Sequence, residues 1–232
     1  MISEAVQDYL KAIYNLQARG GAVSTSALAE AMGVSAPSAT GMVKKLAGMK
    51  LLRHARYQGV VLTRAGQKIA LEVLRHHRLL ELYLAQALGY SWDKVHEEAE
   101  TLEHAISEEF EEKIFEALGR PTLDPHGHPI PTREGTVEQR KQEPLSDLEP
   151  GATATIRQVS DGDAEMLRYL GTRGLIPETS IEVLDKAPFD GPLTVRAGDS
   201  AHILGRRLAS HIRVEADDEP AKARRRRLAN GL

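Results

Sequence analysis

Apolar residues at Val6, Tyr9, Leu10, Ile13, Tyr14 and Leu16 recur at the spacing of one helix face and predict an amphipathic helix over 4–17, ended by Gly20 and Gly21. A shorter helix is expected over 26–32, with Leu28, Ala31 and Met32 on one side. Gly33 and Val34 then make a turn. Ser35 is a suitable N-cap for the next helix, which has Pro37 just inside its first turn and runs to about Lys50. Two helices joined through a glycine turn form the helix-turn-helix pattern. Segments 51–54 and 59–63 read as two strands around a basic turn carrying Arg53, Arg56, Tyr57 and Gln58, which is the shape of a wing.

The period stays helical over 64–88, where Gly89 breaks it, and again over about 92–118, where Gly119 and Pro121 stop it. The stretch DPHGHPIP (124–131) holds too much proline and glycine for regular structure, and 132–144 is polar and reads as a linker. Beyond it the pattern shortens to β-type runs at 153–159, 180–184, 193–197, 202–204 and 211–214. They are punctuated by Gly162, Gly191 and Gly198 and interrupted by one helix over 164–171. The expected fold is mainly α with a C-terminal small β-barrel. It divides into a winged helix-turn-helix over 1–71, a helical domain over 72–131, the linker, a β domain over 145–216 and a tail over 217–232. That tail, acidic and then basic through Arg224 to Arg227, is expected to be disordered.

Charge sharpens this division. Residues 1–70 carry nine Lys and Arg against three Asp and Glu, whereas 71–130 carry five against thirteen, with six of the nine histidines. A basic module ahead of an acidic, histidine-rich one points to a polyanion for the first and a cation for the second, the alternative being two solvated faces. The chain has no cysteine, which excludes disulfides, thiolate metal sites and a cysteine nucleophile. It shows no secretory leader and no apolar run long enough to cross a bilayer, so a cytoplasmic location without membrane contact is expected.

In a helix-turn-helix the start of the second helix meets base edges in the major groove. Those positions are Ser35, Ala36, Pro37, Ser38 and Thr40, small side chains suited to hydroxyl contacts and to thymine methyl groups. Lys44, Lys45, Arg53 and Arg56 suit phosphate contacts. The acidic block holds a second constellation: in HEEAETLEH, the residues His96, Glu100, Glu103 and His104 share one helix face, and His77 and Glu81 share a face of the helix before it. Convergent imidazoles and carboxylates on rigid elements can hold a divalent cation. The spacing fits neither the zinc-protease HExxH, since position 100 is Glu, nor the paired Glu-x-x-His of di-iron bundles. Two other readings are a winged-helix regulator not gated by metal and a metalloenzyme. The enzyme reading lacks a nucleophile elbow or phosphate loop.

Together these stretches resemble the diphtheria-toxin-repressor family of metal-dependent transcriptional regulators, in its manganese-type branch. The likeness runs over about 4–215. It rests on DYLKAIY (8–14), SAPSAT (35–40), GVVLTRAGQKIA (59–70), HRLLE (77–81), VHEEAETLEH (95–104) and HGHPIP (126–131), with GLIPETSIEVL (174–184) matching the SH3-like barrel of longer members. The resemblance implies a homodimeric repressor, not an enzyme. It would bind a palindromic double-stranded DNA operator and control metal-uptake genes, with the helical domain serving for metal binding and dimerisation. It also implies a primary metal site of Asp8, Glu100, Glu103 and His104. The ancillary site would comprise His77, Glu81 and His96, completed from the third domain by Asp163, or failing that Glu165. Iron-type members place a thioether and a thiolate where this chain has Asp8 and Glu100; an oxygen and imidazole set favours manganese(II), or iron(II), over softer metals. Manganese-type members carry a second carboxylate on the first helix where this chain has Lys11, which argues against a closely spaced metal pair there. The resemblance makes His126 and His128 loop-packing residues, and His54, His76, His202 and His211 receive no role. Without metal, Asp8, Glu100 and Glu103 are expected to repel one another and leave the first helix loose.

Overall fold

The N-terminal helix α1 (Glu4–Gly20) buries Val6, Tyr9, Leu10 and Ile13, the stripe its period predicted. Against it pack α2 (Thr25–Ala31) and α3 (Ala36–Gly48), whose Leu28, Ala39, Val43 and Leu46 complete the first core. Ser24 and Ser35 start these helices by accepting from the backbone N–H of Ala27 and Ser38, which satisfies donors the first turn leaves free. The wing is the antiparallel pair β1 (Leu52–Ala55) and β2 (Gly59–Leu62). Gly59 has φ +89°, and a Cβ there would stand 2.7 Å from the Val23 carbonyl oxygen, so only glycine lets β2 pair with Val23.

The computed structural model describes residues 2–55 and 59–217. Arg56, Tyr57 and Gln58, and the expected disordered tail from 218 onward, lie outside the described residues. Asp217, assigned to that tail, instead donates its N–H to the Thr153 carbonyl.

Helix α4 (Arg64–Leu88) runs from the first core into a second with the bounds its period predicted; Thr63 caps its start and a left-handed Gly89 ends it. Its Leu79, Leu80, Leu82 and Leu84 pack on α5 (Val95–Leu102) and α6 (Glu108–Ala117). The single helix expected over 92–118 is thus two. His76 Nδ1 donates to the Glu103 carbonyl, 3.0 Å away, and Ser107 caps a fresh helix by accepting from Phe110 N–H. A polar side chain on α4 and a local cap together outweigh helical propensity.

The third core lies under a six-stranded antiparallel sheet of order β3-β8-β4-β5-β6-β7. These strands are β3 (Glu143–Pro144), β4 (Thr153–Val159), β5 (Ser180–Lys186), β6 (Leu193–Ala197), β7 (Ser200–Leu204) and β8 (Ile212–Ala216). The expected barrel is corrected to an open sheet: β3 and β7 form its two edges and do not pair with each other. Pro144 has no N–H to offer a further strand. Leu167 and Leu170 of α7 (Ala164–Gly171), Ala209 of α8 (Arg206–Ser210) and Leu145 cover the core instead. Among the described residues no helix is long and apolar enough to cross a membrane.

Candidate metal centres and DNA-facing helix

Asp8 and Lys11, one turn apart on α1, both face the turn that follows α5. Asp8 Oδ1 lies 2.7 Å from His104 Nε2, and that nitrogen lies 3.4 Å from Glu103 Oε1. The other His104 nitrogen, Nδ1, donates to Gln7 Oε1 at 2.7 Å. That bond fixes the ring so that, in its neutral form, the Nε2 lone pair points at Asp8 and Glu103, as the outer partner of a metal-bound imidazole does. Asp8 Oδ1 is buried without an aligned hydrogen bond. Burial pushes the Asp8 carboxyl above its ordinary range, with His104 opposing only in part.

Glu103, 1% exposed, faces both ways. Its Oε1 accepts from Lys11 Nζ at 2.6 Å, and its Oε2 lies 2.6 Å from His77 Nδ1. Beyond His77 a second cluster converges. His77 Nε2 is 3.0 Å from Glu81 Oε1 and 3.1 Å from His96 Nδ1, and that nitrogen is 4.0 Å from Asp161 Oδ2. Burial by itself would lower the His77 pKa, yet the Glu81 carboxylate and the bond to Glu103 raise it to about 10. The charged His77 in turn holds the fully buried Glu81 well below the usual carboxylate range, against its own burial.

A third group adjoins this one: Asp124, not singled out in the sequence, lies within ligand reach of His126 and His128, which the resemblance assigned to loop packing. His126 is packed as expected, stacked on Trp92 at 5.6 Å with Nε2 donating to the Trp92 carbonyl. Its Nδ1 is nevertheless buried without an aligned partner, 3.6 Å from the equally unpartnered Glu81 Oε2. The Glu81 charge, working against burial, raises His126 to about 9. Gly127 (φ +86°) brings this loop onto β4, where a Cβ would sit 1.9 Å from the Arg157 carbonyl oxygen. The unusual HGH spacing was the available signal, but loop contacts of this range are not legible in a sequence.

Three expectations change. Asp163 is not in the second cluster: exposed, it caps α7 by accepting from Met166 N–H, and Asp161, two residues earlier, takes the place expected for it. Glu165 is exposed in the first turn of α7. Glu100 groups with His77 and Glu103 rather than with Asp8 and His104. The anticipated repulsion among Asp8, Glu100 and Glu103 is also relieved, because Lys11 Nζ sits 2.6 Å from both glutamates. Burial works against that ammonium, but Glu103 and Glu100 outweigh it and hold its pKa above the ordinary lysine value.

These centres suit a divalent ion. Their donors are all oxygen and nitrogen. Three buried donor atoms, Asp8 Oδ1, Glu81 Oε2 and His126 Nδ1, one in each of three groups, stand close to partners without the alignment of hydrogen bonds and so keep a lone pair for an ion. On α3, Ala36, Pro37, Ser38, Lys44 and Lys45 are exposed, as is Arg53 on the wing. Ser35 serves as the cap, and Thr40 Oγ1 donates to the Ala36 carbonyl at 2.8 Å, so its hydroxyl is partly engaged locally.

Comparison with known proteins covers nearly the whole chain. Three family models match in succession: the N-terminal DNA binding domain of iron dependent repressors over 1–60, their metal binding and dimerisation domain over 63–132, and the FeoA domain over 143–216. A solved manganese-dependent transcriptional repressor in complex with manganese superposes with a TM-score of 0.87 at 40% identity, covering 91% of this chain and all of that one. The HTH-type transcriptional regulator MntR of Oceanobacillus iheyensis is 36% identical over 107 residues, 46% of this chain and 72% of that protein. The iron-dependent repressor IdeR of Mycobacterium tuberculosis is 29% identical over 224 residues, 91% of this chain and 97% of that one. All three are transcriptional repressors or regulators, not enzymes.

Proposed function

Because the chain belongs to the diphtheria-toxin-repressor family of metal-dependent transcriptional repressors, we propose that it is a manganese(II)-gated repressor, active in the cytoplasm as a homodimer on a palindromic operator of metal-uptake genes. One observation carries the gating: Asp8, from the helix that cores the DNA-binding domain, meets Glu103 and His104 of the dimerisation domain. Asp8, Glu103 and His104 would hold a divalent ion there, which would supply positive charge between their carboxylates.

The chain's own residues do the rest. Asp8 holds α1 to the turn after α5, and Leu10 and Ile13 of the same helix share a core with Ala39, Val43 and Leu46 of α3. The angle of α3 therefore follows the position of α1. A dimer must present its two recognition helices about 34 Å apart, or a multiple of that, so a small tilt changes affinity strongly. Glu81, His77, His96 and Asp161 form a second candidate centre, which ties the β-sheet domain to α4 and α5, with Asp124 and His126 beside it. Ser35, Ala36, Pro37, Ser38 and Thr40 are the candidate base-facing positions, with Lys44, Lys45 and Arg53 on phosphates. Manganese relatives of high overlap and an all oxygen and nitrogen donor set favour manganese; the same donors also accept iron(II), the metal in the name of the mycobacterial relative.

The test is selection of bound duplexes from a random-sequence pool with manganese present. Titration of the selected DNA with manganese, iron(II), zinc and chelator follows. Palindromic DNA held in manganese and released by chelator is expected, and Asp8→Ala and His104→Ala should abolish the manganese response in folded protein. Binding that ignores the chelator, or mutants that respond normally, would overturn the reading.

A further inference from the structure

Lys11 brings an ammonium from α1 among the acidic groups at the end of α5. Its side chain is 10% exposed, and its Nζ stands 2.6 Å from Glu100 Oε1 and 2.6 Å from Glu103 Oε1. Lysine is seldom buried unless paired, and here the pairing is with two carboxylates at once. Asp8 and Lys11 lie three residues apart on one helix, so α1 brings one negative and one positive group to Glu103, and the positive one reaches Glu100 as well. Asp8, Glu103 and His104 offer donor atoms within ligand reach of one another, and so do His77, Glu100 and Glu103, so the two groups share Glu103, which the ammonium also contacts.

We infer that Lys11 is a tethered cation standing where a second divalent ion would sit, so that the carboxylate cluster beneath α1 takes a single metal ion. This rests on the metal-gated reading above. A covalently held ammonium needs no binding from solution, and it offsets one of the two charges of Glu100 and Glu103 whether or not metal is present. The helix is therefore partly held to α5 before the ion arrives, and the lone ion at Asp8, Glu103 and His104 completes a clamp that is already half made. A second ion next to the first would have to displace an ammonium held by two charge-assisted hydrogen bonds.

The experiment uses the full chain with manganese alone, by equilibrium dialysis with elemental analysis and by calorimetry, and compares wild type with Lys11→Glu and Lys11→Met. Circular dichroism establishes that each variant is folded. Lys11→Glu is expected to bind one more manganese per protomer than wild type, and to show at low temperature the exchange-coupled electron paramagnetic resonance signal of a close manganese pair. Lys11→Met keeps the apolar stem without the charge. It is expected to bind manganese at this cluster about tenfold tighter, or to gain the extra ion as well, because a nearby repelling charge is gone. Folded variants with wild-type stoichiometry and affinity would overturn the inference while leaving metal gating intact. A wild type that binds no manganese would overturn both.

Discussion

Glu103→Gln keeps the size of the side chain and removes one charge at the residue the α1 and His77 clusters share. In the metal-free protein the change strips the buried Lys11 and His77 of a carboxylate held at 2.6 Å on each side. Breaking a buried ion pair typically costs about 3–5 kcal/mol, but Gln still accepts one hydrogen bond and Glu100 stays on Lys11, so a loss of about 2–3 kcal/mol is expected. The effect on metal should be larger in kind. Groups that only orient a metal ligand are worth about 10–100-fold in affinity, so loss of a direct carboxylate should cost at least about 100-fold. At manganese set to 100 times the wild-type dissociation constant, the ion stabilises wild type by about 2.7 kcal/mol and the variant by about 0.4 kcal/mol. For a chain of this size those figures correspond to upward melting shifts of about 5–10 °C and about 1 °C. Thermal melting of both proteins with and without manganese, followed by circular dichroism, reads this directly. If Glu103→Gln melts where wild type does and shows the full manganese shift, Glu103 does not join the two clusters and the reasoning fails.

Asp161→Asn should remove one manganese per protomer or weaken its binding about tenfold or more, whereas Asp163→Ala should leave stoichiometry unchanged and cost α7 about 1 kcal/mol as a lost N-cap; dialysis and melting separate the two. Lys44→Ala should weaken operator binding about equally for all sequences and reduce the slope of log affinity against log salt by about 1, measured by fluorescence anisotropy at several ionic strengths. Glu111, buried between Arg75 and His76, has its carboxyl lowered to about 2 by bonds to both partners that overcome its burial. A depressed carboxylate stabilises the fold above its unfolded value near 4.5 and loses that contribution as pH falls through about 2. Wild type should therefore lose about 3 kcal/mol from this group between pH 5 and pH 2 in urea titrations, a loss that Glu111→Gln should not show.

What the sequence determined by itself was local and periodic. The bounds of α4, the serine cap of α3, the wing strands and the run Ala164–Gly171 follow from side-chain period, N-cap chemistry and glycine, which act over a few residues. The i, i+4 pair of His77 and Glu81 and the His96 to His104 run were legible for the same reason: a helix converts spacing into a shared face. Tertiary structure decided what depends on contacts between distant segments. His76 reaching the Glu103 carbonyl splits the expected long helix, and helices covering the third core leave the sheet open. Asp161 rather than Asp163 reaches His96 because the backbone enters α7 two residues later, a placement no local pattern encodes. Lys11 carries the same lesson for charge. From spacing it is one basic residue on an amphipathic helix, and only the packing of α1 and α5 on α4 brings its ammonium to two glutamates, where burial makes each electrostatic contact count for more than it would in water.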